Sequence, residues 1–151
     1  MAAGLFPTFD VPAGMATGSG TGVTQYLPGP LWDFETGDFV SDGAGRTLYG
    51  SGKDAWVLWC IKSILTQRGA RLGYGMNEGI EADEAFSEPD REAVESAFER
   101  TVTEALLADP LGRTKVVRNF SFTWEADSLM IECEVVGADG STADITAKLD
   151  Q

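Results

Sequence analysis

Arg118-Asn-Phe-Ser-Phe-Thr-Trp124, Leu129-Met-Ile-Glu-Cys-Glu-Val135 and Ala143-Asp-Ile-Thr-Ala-Lys-Leu149 decide the fold of this 151-residue chain. Each run alternates with a period of two, the spacing at which successive side chains of a strand point to opposite faces. Arg118, Phe120, Phe122 and Trp124 share one face of the first run. Leu129, Ile131, Cys133 and Val135 share one face of the second, and Ala143, Ile145, Ala147 and Leu149 one face of the third. Glu125-Ala-Asp-Ser128 and Gly137-Ala-Asp-Gly140 are the turns between them. The reading is a three-stranded antiparallel meander whose apolar face needs a helical cover.

Two upstream segments supply that cover. Over 54–68 the residues Ala55, Leu58, Trp59, Lys62 and Leu65 fall at helical spacing, and Gly69 follows as a stop. Trp56, Val57, Cys60, Ile61 and Ile64 are apolar too, so this helix must be covered on two sides. One cover is the sheet; the other is the N-terminal arm or a neighbouring subunit. Trp56 and Trp59 are candidate partner contacts on it, with core packing as the plainer role. A second helix opens at Ser87-Glu-Pro-Asp90, with Ser87 as the cap, Pro89 in the first turn and Asp90 reaching back. Val94, Ala97, Phe98, Val102, Ala105 and Leu106 make its apolar stripe, and Leu107-Ala-Asp-Pro110 ends it. Between the helices, 70–86 is a long glycine-rich connection. Upstream, 31–52 is a short hairpin that turns at Glu35-Thr-Gly-Asp38. The expected fold is α+β, with two helices on an antiparallel sheet and a single domain over 31–151. Residues 1–30 hold four of the six prolines and six of the 18 glycines, with Asp10 as their one charge. They read either as a disordered tail or as an extended arm in which Leu5, Phe6, Phe9 and Val11 suit docking on this or another protein.

Composition removes several classes of function. Eleven basic against 24 acidic residues give a net charge of -13, which repels phosphate backbones and makes nucleic acid an unsuitable partner. There are no histidines, which removes histidine triads and imidazole–metal chemistry. The longest apolar run, Ala55 to Ile61, is far shorter than the ~20 residues that span a bilayer, so no membrane is expected. No basic signal-peptide start precedes Arg46, so Cys60 and Cys133 are read as buried reduced thiols, with a disulfide between them as the alternative.

Motif chemistry is equally thin. Gly50-Ser-Gly-Lys53 lacks the leading glycine of a phosphate loop and is followed by Asp54, which would repel phosphate. Gly73-x-Gly75 with Gly79 follows a helix instead of a strand. The acids at 78–88 lack the alternating ligands of a calcium loop. No cofactor, metal or catalytic residue is assigned. A glycoside hydrolase using Glu81 and Glu84 is the weak enzymatic alternative. The basic residues are grouped: 53–69 and 109–124 each sum to +2 whereas 125–151 sum to -6, an asymmetry that suits stacking against neighbouring chains.

Ile64-Leu-Thr-Gln-Arg-Gly-Ala-Arg71, followed by Gly75 and Gly79, resembles the signature of the baseplate wedge and sheath-initiator family of contractile phage tails. In that family an apolar helix ends in a Thr-x-x-Gly-Glu-Arg segment; here Ala70 stands where the Glu is usual. Glu104-Ala-Leu-Leu-Ala-Asp-Pro-Leu-Gly-Arg113 resembles the family's Glu-Pro-Arg motif, with Asp109 for the Glu, Pro110 for the Pro and Arg113 for the Arg after two inserted residues. Trp32-Asp-Phe-Glu-Thr-Gly37 looks like the start of the variant found in myophages and phage-like particles of Gram-positive bacteria.

The resemblance implies a structural subunit of the virion's tail baseplate, present in six copies and assembled in the host cytoplasm, on which the first ring of tail sheath forms. Its implied partners are the tail sheath protein, other baseplate wedge proteins and the tail tube or hub. Sheath arms would add strands beside Ala143, Ile145 and Ala147. The Asp109-Pro110-Arg113 corner, with Arg68 and Arg71 as further cations, would dock on the wedge, a local helix cap being the alternative role for Arg113. On the docking reading Arg113→Ala leaves the melting temperature nearly unchanged and blocks assembly. The alternative is a small acidic adaptor or tail-completion protein whose partner is not sheath.

Overall fold

The computed structural model describes residues 26–151; most of the arm expected over 1–30 therefore lies outside the described residues. Two small antiparallel pairs open the chain. β1 (Gly29–Pro30) pairs with β4 (Tyr49–Gly50), and β2 (Trp32–Asp33) pairs with β3 (Asp38–Phe39). α1 (Gly52–Ile64), α2 (Ala82–Phe86) and α3 (Arg91–Leu107) follow, and then β5 (Thr114–Trp124), β6 (Ser128–Gly137) and β7 (Thr142–Asp150). The last three strands form one antiparallel sheet in the order β5-β6-β7. The fold is α+β with antiparallel sheets, as the alternation implies.

The helices differ from expectation at their starts, for a capping reason. α1 begins two residues earlier than predicted. Ser51 accepts from Asp54 N, while Asp54 accepts from the backbone N–H and hydroxyl of Ser51. Those hydrogen bonds hold the Asp54 carboxyl below its ordinary range. The residue that spoils a phosphate loop is thus half of a capping box. Ser87 does not start the main helix; it closes α2, a five-residue helix inside the stretch expected to be a bare connection. Asp90 caps α3 instead, accepting from Ala93 N.

The core lies between the helices and one face of the sheet. Trp56, Cys60 and Ile64 from α1 and Phe98, Val102 and Leu106 from α3 are fully buried there, with Leu129, Ile131 and Val135 from β6 beneath them. Side chains of this kind contribute roughly 1.5–3 kcal/mol each on complete burial. β7 keeps an unbroken one-to-one register with β6, from Val136↔Thr142 to Ser128↔Asp150. β5 does not. Its register slips between Thr114 and Val116, and again between Arg118 and Ser121, where Asn119 takes a φ of 56°. The second bulge corrects one expectation. Arg118 does not share a face with Phe120, Phe122 and Trp124, because the extra residue reverses the alternation. Arg118 pairs across the outer face with Glu134, while the three aromatic side chains pack toward the core.

Candidate functional site

Three surfaces gather the residues singled out in the sequence. The first is the corner where α3 gives way to β5. Asp109 follows the cap residue Ala108, and Gly112 turns the chain at a φ of 61°. The Asp109 carboxylate is fully buried. It accepts from Arg113 Nε at 2.8 Å and Nη2 at 3.1 Å, and from the backbone N–H groups of Leu111 and Arg113. Arg113 is 6% exposed and its guanidinium stands 5.3 Å from the centre of the Trp59 ring. Its carbonyl accepts from the Tyr26 hydroxyl at 2.9 Å and from Ala138 N at 2.8 Å.

This geometry turns the guanidinium inward, toward the local role at the helix end. Its two hydrogen bonds, which in the open would suit a partner's carboxylate, are directed at Asp109, and the pair is enclosed. A buried cation needs such a partner, because leaving it unpaired is strongly unfavourable. What faces outward at the corner is apolar: Pro110 is exposed, as are Leu107 at 46% and Leu111 at 52%. Trp56 lies in the core. It is fully buried, its ring packs T-shaped with Tyr26 at 5.5 Å between ring centres, and its Nε1 donates to Thr114 Oγ1 at 2.9 Å. Trp59 is only partly buried and stays accessible.

The second surface is the connection after α1. Arg68 turns inward, giving Nε to the Gly79 carbonyl and Nη1 to Glu81 Oε1 at 3.0 Å, with Glu104 at 3.9 Å. Arg68 N donates to Ile80 O and Ile80 N to Thr66 O, so the ends of the loop are laced together. Gly79 sits at a φ of 88°, and a Cβ there would lie 2.4 Å from the Thr66 carbonyl oxygen. Only glycine fits that approach. Beyond this tie the loop tip is open, with Leu72 and Met76 fully or nearly fully exposed. Arg71 is exposed, apart from Arg68. Glu81 and Glu84 border a polar hollow beside α3, where Glu81 is committed to Arg68. Among the described residues, no group of three or more metal-binding side chains is placed to hold an ion.

The third surface is the sheet and its rims. Ala143, Ile145 and Ala147 point inward from β7, Ile145 and Ala147 being buried. Any contact they offer beyond the sheet is therefore through backbone. Among the described residues, no strand pairs with the outer edge of β5 or of β7. On the outer face, Glu134 accepts from Arg118 and from Asn119 Nδ2, which draws its carboxyl below the ordinary range. Lys148 donates to Glu125; that bond lowers the Glu125 carboxyl and raises the Lys148 ammonium. The two cysteines are free, and burial pushes Cys60 up to about 12 and Cys133 up to about 11.

Sequence reasoning missed the part played by Tyr26, which ties the start of the described chain to the corner. It also missed the groove between α1 and the β2–β3 hairpin. The only advance signal for that groove was that α1 is apolar on more than one side. In a comparison with known families, residues 30–140 match the family described as contractile injection system sheath initiator. No curated protein matches the chain.

Proposed function

Because the chain belongs to the contractile injection system sheath initiator family, we propose that it starts sheath assembly by offering the outer edge of β7 to a strand of the sheath protein. The family is structural, and its place is the tail baseplate, in contact with sheath and other baseplate proteins. The observation that carries the finer reading is the difference between the two rims. β5 is bulged twice, a common way of blunting an edge against pairing. β7 is an unbulged strand of nine residues, in register with β6 throughout. Asp144 and Lys148 on its exposed face disfavour indiscriminate pairing and leave a chosen strand its backbone bonds.

The corner has a different task in this reading. Asp109 and Arg113 brace the turn from within, and Pro110, Leu107 and Leu111 are the apolar surface that meets the wedge. The tube or hub lies beyond these contacts, and six copies ring the baseplate. The hairpin start at Trp32 fits the variant of Gram-positive myophages.

The test is amide hydrogen exchange on the full chain with and without purified sheath protein. Strand addition at β7 predicts new protection in 142–149 and none in β6, whose amides are already paired on both sides. Protection in β5 with none in β7 would make this edge the wrong one. If sheath does not bind but another tail component does, the adaptor reading takes its place.

A further inference from the structure

Between the outer stripe of α1 and the β2–β3 hairpin lies a groove of about 660 Å³. Leu58, Trp59 and Leu65 form its floor, and Trp32, Phe34 and Phe39 its wall. Its volume falls in the range of pockets that enclose a ligand or a peptide segment. Its lining carries two charges, Lys62 and Arg71. Both are cationic, and among the described residues neither makes an ion pair; Lys62 rests over the Tyr74 ring at 5.2 Å.

The chain itself carries a segment of the opposite kind. Leu5, Phe6, Phe9 and Val11 are apolar, and Asp10 among them is the one charge in residues 1–30. We propose that this segment, residues 5–11 of the same chain, fills the groove, with its apolar side chains against Trp59 and Phe34 and Asp10 facing Lys62 and Arg71.

The tether fits. Tyr26 is fixed at the first turn of α1 by its contacts with Trp56 and the Arg113 carbonyl, and Gly29 and Pro30, just after it, line the groove. The 14 residues from 12 to 25 separate the segment from Tyr26. At the dimensions of a Gly-rich sequence, that length spans roughly 20 Å on average. The groove follows α1 from Ala55 to its C-cap Leu65, which is roughly 15 Å at 1.5 Å per residue. Such a tether holds the segment at an effective concentration in the millimolar range, well above that of any free competitor. A second copy would bring a net charge of -13 against another of the same sign, whereas the arm brings a single negative charge to two positive ones.

The experiment uses the full chain with Phe9→Cys and Leu65→Cys together. Cys60 and Cys133 stay out of the reaction because they are buried. Mild oxidation should join the two introduced thiols within one molecule, seen as a faster-migrating monomer and confirmed by mass mapping. Asp10→Arg should slow that closure at least threefold, and adding Arg71→Asp should restore it. Separately, removing residues 1–11 should speed amide exchange in 32–39 and 58–66 at least threefold while leaving β6 unchanged. A cross-linked dimer would assign the groove to a second copy. Absence of any cross-link, or unchanged exchange on truncation, would reserve it for another baseplate chain. Each of these results overturns the proposal. None of these readouts involves sheath, so failure here is distinct from failure of strand addition at β7.

Discussion

Replacing Arg113 by alanine gives the sharpest test of the corner. The substitution removes Nε and Nη2, which sit 2.8 and 3.1 Å from the Asp109 oxygens, together with the cation facing Trp59. Asp109 keeps its bonds from Leu111 N and Arg113 N but becomes an enclosed carboxylate with no counter-charge. Breaking a buried pair by removing one partner costs about 3–5 kcal/mol. For a chain of this size that corresponds to a fall in melting temperature of roughly 9–15 °C. The assay is urea and thermal unfolding of the full chain, followed by tryptophan fluorescence and circular dichroism. Asp109→Ala alone should fall similarly, because it strands the guanidinium. The double variant should be far less unstable than the sum of the two. A coupling energy of about 2 kcal/mol or more is expected from that cycle. A fall of less than about 3 °C for Arg113→Ala, with no coupling, would refute the internal clasp. It would also return the guanidinium to the outward role that the sequence suggested.

Other outcomes can be checked alongside. Gly79→Ala forces a side chain against the Thr66 carbonyl at a left-handed φ and should lower stability by roughly 1–3 kcal/mol in urea titration. Gly69→Ala, at a similar φ but with open space around it, should lower it by less. Cys60 and Cys133, pushed up to about 12 and about 11, should stay unreactive toward a thiol reagent at pH 8 while the chain is folded, and both should label on unfolding. The Glu134 carboxyl is lowered in the folded state, so its contribution to stability is complete above its ordinary value of 4.5 and is lost as pH falls through the depressed one. Glu134→Gln should therefore show a shallower loss of stability below pH 4.5 than the parent in acid titration. Leu111→Asp should leave the melting temperature within about 2 °C and abolish co-purification with wedge proteins.

The parts of the fold written in regular spacing were legible. The three C-terminal runs became β5, β6 and β7, and the stripe from Val94 to Leu106 became the buried face of α3. What escaped was set by single residues. Arg118, Phe120, Phe122 and Trp124 alternate without a flaw in the sequence, yet one asparagine at positive φ inserts a residue and moves Arg118 to the opposite face. Ser87 and Asp90 are both good caps; in the fold a short helix ends at the first, with Phe86 packed on Phe98, and the long one begins at the second. At the corner, the motif residues were identified in order, but burial depends on Trp59 and Tyr26, distant in sequence, closing over them. No spacing rule encodes that closure, so the sequence leaves Arg113 open between a docking cation and a local cap until the two aromatic residues are in place.

The unbulged rim of β7, guarded only by Asp144 and Lys148, also shapes how the free protein behaves in solution. Two loose copies present the same backbone row to each other, and like-with-like pairing there would lead toward fibrous precipitate. What keeps them apart at a distance is the shared excess of acid, and that repulsion reaches only about 8 Å at physiological ionic strength. Dilute, low-salt solutions therefore favour solitary molecules, whereas concentrated salt strips the guard away. Handling follows from the same fact: the purified chain keeps best when dilute and in low salt, where copies stay apart.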